Sequence, residues 1–136
     1  MLRAAAATAL AAPLLAAAPT ASATSTGADA CTNSQLGGLP ASICVQVWGR
    51  STQVREAGAS ALLGRAYTCD GQFRVFGVLA NGSGFSRTEW AKCGLGRVWV
   101  RFGVEREFRD NTRVCAVIVE PGGRERREYA CVWIRR

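Results

Sequence analysis

The chain has 136 residues, six cysteines, no histidine and a formal net charge of +7. Because histidine is absent, the Ser-His-Asp and Cys-His arrangements of nucleophilic catalysis are excluded, and the commonest metal ligand is missing. We therefore expect no metal and no cofactor. The basic excess favours an anionic partner, although a charge of this size also keeps a small domain in solution.

The first 23 residues have the pattern of an export signal. Arg3 precedes an Ala- and Leu-rich stretch over residues 4–18, and Ala21-Ser22-Ala23 supplies the small residues of a cleavage site. The stretch is too short to span a bilayer comfortably, so a membrane anchor or an Ala-rich disordered tail is the weaker alternative. We expect residues 1–23 to be a signal peptide cleaved after Ala23. Cleavage leaves a secreted domain of 113 residues with a net charge of +6 and no integral membrane segment.

The cysteines all follow the expected cleavage site, and their number is even. An even number in an exported chain, with no C-x-x-C pair, predicts three disulfides and argues against a redox motif or a zinc site. Six cysteines allow fifteen pairings. We favour the sequential one because neighbouring strands tend to pair; it joins Cys31–Cys44, Cys69–Cys93 and Cys115–Cys131.

The predicted elements follow in chain order. Residues 24–40 are expected to be a flexible leader and an irregular segment tethered by Cys31, and residues 41–136 a single disulfide-stabilised domain. β-branched and aromatic runs between turn residues predict six short strands, at 43–48, 61–69, 73–80, 97–103, 112–119 and 127–134. A helix over 52–63 is the rival interpretation of the second strand, but Gly58 lies in its middle.

A capping box predicts one short helical turn. Ser86-Arg87-Thr88-Glu89 has the spacing of that motif, and Gly94 offers a C-terminal stop, so we expect a turn of helix near residues 87–92. Six strands and little helix predict an all-β fold. The expected architecture is a small antiparallel β-sandwich or barrel in the style of an immunoglobulin-like fold.

Each of the four tryptophans is followed two positions later by a basic residue. On a strand such residues share a face, whereas on a helix they do not, which excludes Trp90 and Lys92. The three strand cases predict a binding face that stacks on rings and attracts anions, made of Trp48, Arg50, Arg97, Trp99, Arg101, Trp133 and Arg135. The competing interpretation is structural, with arginine stems covering the tryptophan rings at the rim of the sheet.

The predicted function is therefore non-enzymatic binding of an anionic or carbohydrate extracellular partner. An anionic polymer, a polysaccharide or a secreted protein would fit such a face. One alternative is an inhibitor of an extracellular hydrolase that presents a rigid loop, with residues 81–85 and 120–126 as candidates. The last alternative is a small hydrolase with a carboxylate pair, which ranks lowest because most acidic residues stand beside arginines.

Overall fold

The computed structural model describes residues 27–136, so the predicted signal peptide and the start of the leader lie outside the described residues. Two antiparallel four-stranded sheets pack face to face, which confirms the all-β prediction. The described part of the chain contains no helix that is long and apolar enough to cross a membrane. The strands number eight: β1 (Ala28–Leu36), β2 (Leu39–Arg50), β3 (Gln53–Thr68), β4 (Gln72–Val78), β5 (Gly84–Trp90), β6 (Gly94–Glu107), β7 (Thr112–Ile118) and β8 (Ala130–Ile134).

The first sheet has the strand order β1-β2-β3-β6 and the second has β5-β4-β7-β8. The chain forms three strands of the first sheet, crosses to the second for β4 and β5, returns for β6, and crosses again for β7 and β8. At one side of the sandwich β1 lies against β8. At the other side the edge strands β6 and β5 face each other, and Arg87 of β5 reaches the carbonyl of Gly103 on β6.

The core forms from the inward residues of both sheets, which alternate with outward residues along each strand. This alternation follows from the two-residue period of a strand, which sends successive side chains to opposite faces. Both sheets contribute small and large apolar side chains, with Phe102 from the first and Phe73 from the second. Completely buried members include Ile43, Val45, Ala59, Phe73, Val75 and Ile118.

Three disulfides close the domain, as predicted, and each joins neighbouring strands of one sheet. Cys31 and Cys44 lie directly opposite each other on β1 and β2, and Cys115 and Cys131 do so on β7 and β8. Cys69 follows β3 and bonds Cys93, which precedes β6. No cysteine among residues 27–136 is free. Such bonds form and persist in oxidising compartments.

The segment that was expected to be irregular contains a strand. Within residues 24–40, β1 occupies Ala28–Leu36 and pairs with β2 along its whole length. Gly37 and Gly38 have φ values of 56° and 77° and form the two-residue turn between the strands. The strand is rich in small and polar residues because it is an edge strand, held by its main-chain bonds to β2 and by the Cys31 disulfide.

The predicted helical turn near residues 87–92 is wrong, because most of it belongs to β5. Ser86 pairs with Phe76 of β4, and Glu89 pairs with Phe73. A helix that short is marginal in water, so the hydrogen bonds offered by the free edge of β4 outweigh the capping box. The alternative helix over 52–63 is also wrong, since those residues fall mainly in β3, which is paired on both sides.

Candidate ligand-binding face

Part of the outer face of the second sheet, around β4 and the end of β7, is covered by the chain itself. Val117 of β7 points outward beside Arg74, yet the Val117 side chain is completely buried because residues 119–129 fold over it. Arg74 forms a two-pronged ion pair with Glu125. The Tyr129 ring meets the Phe76 ring edge-on, with centroids 5.5 Å apart. This covered part is closed to a large ligand, while Trp133 of β8 stays 52% exposed on the rest of the face.

Arg126 holds this covering loop together. Its guanidinium donates to Glu120 and to Glu128, each at 3.0 Å. The hydrogen bond from Arg126 is the main reason why the pKa of the Glu128 carboxyl lies below its ordinary value. The same contacts, first with Glu120 and then with Glu128, raise the pKa of Arg126. A lowered pKa is the opposite of what a general acid at neutral pH requires.

The lowered pKa of Glu128 makes part of the stability depend on pH. A carboxyl whose pKa is lower in the folded than in the unfolded chain stabilises the fold above its ordinary pKa, near 4.5. This stabilisation is lost as the pH falls through the lowered value. Denaturant unfolding from about pH 6 to about pH 3 is therefore expected to show a gap between wild type and Glu128→Gln that narrows on acidification.

A matched control for this titration is Glu105→Gln, because Glu105 makes no ion pair with any residue of 27–136. Its unfolding free energy at about pH 6 is expected to lie within about 0.5 kcal/mol of the wild-type value. A gap for Glu128→Gln that stays constant down to the lowest pH would contradict the assignment.

Three outward residues of β6 form the centre of the open face. Val98, Val100 and Phe102 point into the core, so Arg97, Trp99 and Arg101 point outward. The Trp99 side chain is 57% exposed. We call Arg97, Trp99 and Arg101 the β6 ridge.

Trp48 on β2 belongs to the same face, although β3 lies between it and β6. Gly58 of β3 pairs with Gln46 on one side and with Arg101 on the other. Because Gly58 has no side chain, Arg101 can extend across β3 to Trp48, which is two positions after Gln46. The Arg101 guanidinium therefore lies over the Trp48 ring, 4.0 Å from its centroid, and it also bonds Glu56. This cation–π contact fixes Arg101 in place and leaves Trp48 half-buried.

A shallow recess lies on the sheet between Trp48 and the β6 ridge. It has a volume of about 260 Å³ and is lined by the ridge residues together with Gln46, Trp48 and Val100. Ser60 points outward from β3 next to Trp99 but is almost completely buried. Gln46 Nε2 donates to the Ser60 hydroxyl at 3.2 Å, so the floor of the face is hydrogen-bonded.

A larger groove of about 500 Å³ lies on the other side of the β6 ridge, between β6 and β5. Its lining includes Trp90 and Lys92, which the helical prediction had set aside. Arg87 closes one end, where it donates to the Gly103 carbonyl at 3.2 Å and lies 4.6 Å from the centroid of the Phe102 ring. Trp90 is 60% exposed. The sequence feature that pointed to these two residues was the basic residue two positions after each tryptophan.

The face retains positive charge after its internal ion pairs are formed. Arg101 is paired with Glu56, and Arg87 with Glu89. Arg97 and Lys92 make no ion pair with any residue in the described range. These two cations are thus available to an anionic ligand.

The remaining predicted residues lie elsewhere. Trp133 and Arg135 are at β8, at the opposite side of the sandwich, where the Arg135 guanidinium lies 4.8 Å from the Trp133 ring centroid. Arg50 is exposed at the end of β2, beyond an irregularity that follows Trp48. The structure brings four of the seven predicted residues together: Trp48, Arg97, Trp99 and Arg101.

In comparisons with protein-family models, curated proteins and solved structures, no match to this chain is found. Within residues 27–136 there is also no group of three or more Cys, Asp and Glu side chains that could hold a metal ion.

Proposed function

We propose that this chain is a secreted, non-enzymatic binding module that holds an anionic extracellular partner on the β6 ridge and in the recess beside Trp48. The observation that carries the proposal is an exposed Trp99 with an outward arginine two positions away on either side. Three disulfides support an extracellular location, as does the signal-like sequence of residues 1–23.

The chemistry of the face favours a ligand with both apolar surface and negative charge. Successive outward residues of a strand lie about 7 Å apart, so the two arginines flank a ring stacked on Trp99 at short range. An exposed aromatic ring offers stacking without sequence or stereochemical demands, and the guanidinium groups attract carboxylate or sulfate. Arg101 is already oriented by Trp48, which lowers the cost of ordering it on binding.

Trp99→Ala tests the proposal directly. With polygalacturonate and poly-L-glutamate as anionic probes and neutral dextran as the uncharged one, we expect wild type to bind the anionic probes only. The binding is expected to weaken with salt. Loss of the ring is expected to reduce affinity for polygalacturonate about tenfold, since stacking on an aromatic side chain contributes about 1–3 kcal/mol. Isothermal titration calorimetry at two salt concentrations measures both effects.

The aromatic comparison for this experiment is Trp133→Ala, a second exposed tryptophan on the opposite side of the sandwich. We expect it to bind like wild type, and thermal melts check that both variants are folded. Unchanged affinity in Trp99→Ala, or equal losses in the two variants, would remove the β6 ridge as the site.

Inhibition of an extracellular hydrolase is the second candidate, supported by the rigidity of one exposed loop. The Glu120 amide donates to the Arg124 carbonyl at 2.7 Å, and the Gly123 amide donates to the Glu120 carbonyl at 3.0 Å. A loop already fixed in one conformation loses little entropy on binding. Hydrolase inhibition that survives Trp99→Ala and disappears on replacing residues 121–124 would favour this function over the first.

A further inference from the structure

The outer edge of β6 carries unpaired main-chain groups, and two contacts determine which residues they belong to. The Val100 carbonyl oxygen would lie 2.5 Å from a Cβ built on Gly58, so it points toward β3. The Gly103 carbonyl accepts a hydrogen bond from Arg87 of β5, so it points the opposite way. Main-chain groups alternate in direction along a strand. The N–H and C=O of Trp99 and Arg101 therefore point away from β3, and so does the Arg97 N–H, whereas the Arg97 carbonyl oxygen lies against Gly94 of the same strand.

The β6 ridge thus combines two kinds of recognition in the same three residues. Their side chains form the aromatic-basic face, and their main-chain groups, apart from the Arg97 carbonyl, form an open strand edge with no strand partner among residues 27–136. A polysaccharide would use the side chains alone. An extended polypeptide would use both, because a strand that adds to a free edge gains main-chain hydrogen bonds as well as side-chain contacts.

We propose that the partner is an acidic polypeptide segment that adds to β6 as an antiparallel strand. This inference rests on the proposed function and names the class of its anionic ligand. Residues directly opposite each other in such a pair share a face, so acidic side chains of the ligand lie across from Arg97 and Arg101. An apolar side chain lies across from Trp99. The recognised pattern is acidic–x–apolar–x–acidic, and the x side chains point toward the groove between β6 and β5.

Charge complementarity selects this occupant over a second copy of the chain. In an antiparallel pair of two β6 strands centred on Trp99, Arg97 of one copy would lie opposite Arg101 of the other. Like charges directly opposite each other destabilise a strand pair, and basic side chains on an edge strand act against self-association. An acidic strand converts both repulsions into attractions.

The test uses a capped heptapeptide with glutamate at its second and sixth positions, valine at its fourth and threonine elsewhere. This pattern presents the acidic–x–apolar–x–acidic motif to the edge. N-methylation of the valine amide, which faces β6 in the proposed pair, is expected to weaken binding about tenfold through lost hydrogen bonding. N-methylation of the adjacent threonine amide, which faces away, is the matched control and is expected to change affinity less than about twofold.

Amide hydrogen exchange in the full complex gives an independent readout. Bound peptide is expected to slow exchange at Arg97, Trp99 and Arg101, while a peptide with lysine in place of glutamate leaves it unchanged. If the acidic peptide or polygalacturonate binds but neither exchange nor the position of N-methylation matters, strand addition fails and the proposed function stands. If no anionic probe binds at low salt, both fail. Dimerisation through this edge, detected by sedimentation, would overturn the choice of an acidic strand.

Discussion

Arg97→Glu combined with Lys92→Glu is expected to reduce affinity for polygalacturonate about 100-fold at low salt, because exposed charges steer and hold an anionic ligand over roughly a Debye length. Both side chains line the groove beside β6, and neither makes an ion pair within residues 27–136. The reversal therefore leaves the Arg101–Glu56 and Arg87–Glu89 pairs intact. Calorimetry in about 20 mM and about 200 mM salt measures the loss and its screening.

The control for this variant keeps the same change in net charge but places it elsewhere. Arg113→Glu with Arg124→Glu reverses two exposed arginines, one on the outer face of β7 and one in the loop after it. We expect its affinity to stay within about threefold of wild type, since a distant charge acts mainly through the overall field. Equal losses in the two double variants would show that net charge, and not the face, binds the polymer.

The largest expected effect on stability comes from Phe108→Ala. The ring is 1% exposed, meets the Phe85 ring edge-on at 5.4 Å and packs against Gly77, where it fills the space a side chain would occupy. Truncating a buried phenylalanine costs about 3–5 kcal/mol, through lost burial and the cavity that remains. Since a domain of this kind has about 5–15 kcal/mol in total, the variant is expected to lose a large share of its stability.

Denaturant unfolding with the disulfides intact measures this loss. Phe108→Leu keeps most of the volume and is expected to lose less than half as much stability as Phe108→Ala. A loss below about 1 kcal/mol in Phe108→Ala would mean that the two sheets close around the cavity. Either variant leaves the β6 ridge untouched, so ligand binding at low temperature reports whether the folded fraction is native.

The all-β class was predictable because apolar and polar residues alternate along the sequence in the same way as inward and outward side chains alternate along the strands. This alternation identifies β6 and its two faces directly, with Val98, Val100 and Phe102 on one face and Arg97, Trp99 and Arg101 on the other. β1 was missed since its stability comes from pairing with β2 and from Cys31, neither of which shows in its own polar residues. Gly37-Gly38 was the available signal, as a pair of glycines is typical of a two-residue hairpin turn.

The sequence predicted only those features of the site that lie on a single strand. Trp48 meets Arg101 because β6 pairs with β3 rather than with a strand next to it in sequence, and because Gly58 leaves the space between them open. Both facts depend on long-range topology. Trp90 was excluded by a capping box that is present in the sequence but overridden by pairing with β4. The separation of Trp133 from the ridge likewise depends on which sheet β8 joins.

The placement of the disulfides has a consequence for how the chain folds. Each bond links strands that are neighbours within a sheet, and Cys69–Cys93 gathers the base of the whole β4–β5 segment. An oxidised chain that has lost its core therefore still keeps three strand pairs close to their native alignment. Folding from this state requires only that the preformed strand pairs dock onto each other. The cross-links shorten the effective sequence distance of the contacts that limit folding in β proteins. The first formation of the three disulfides is thus expected to be the slow and error-prone event, and refolding of the oxidised chain is expected to be faster.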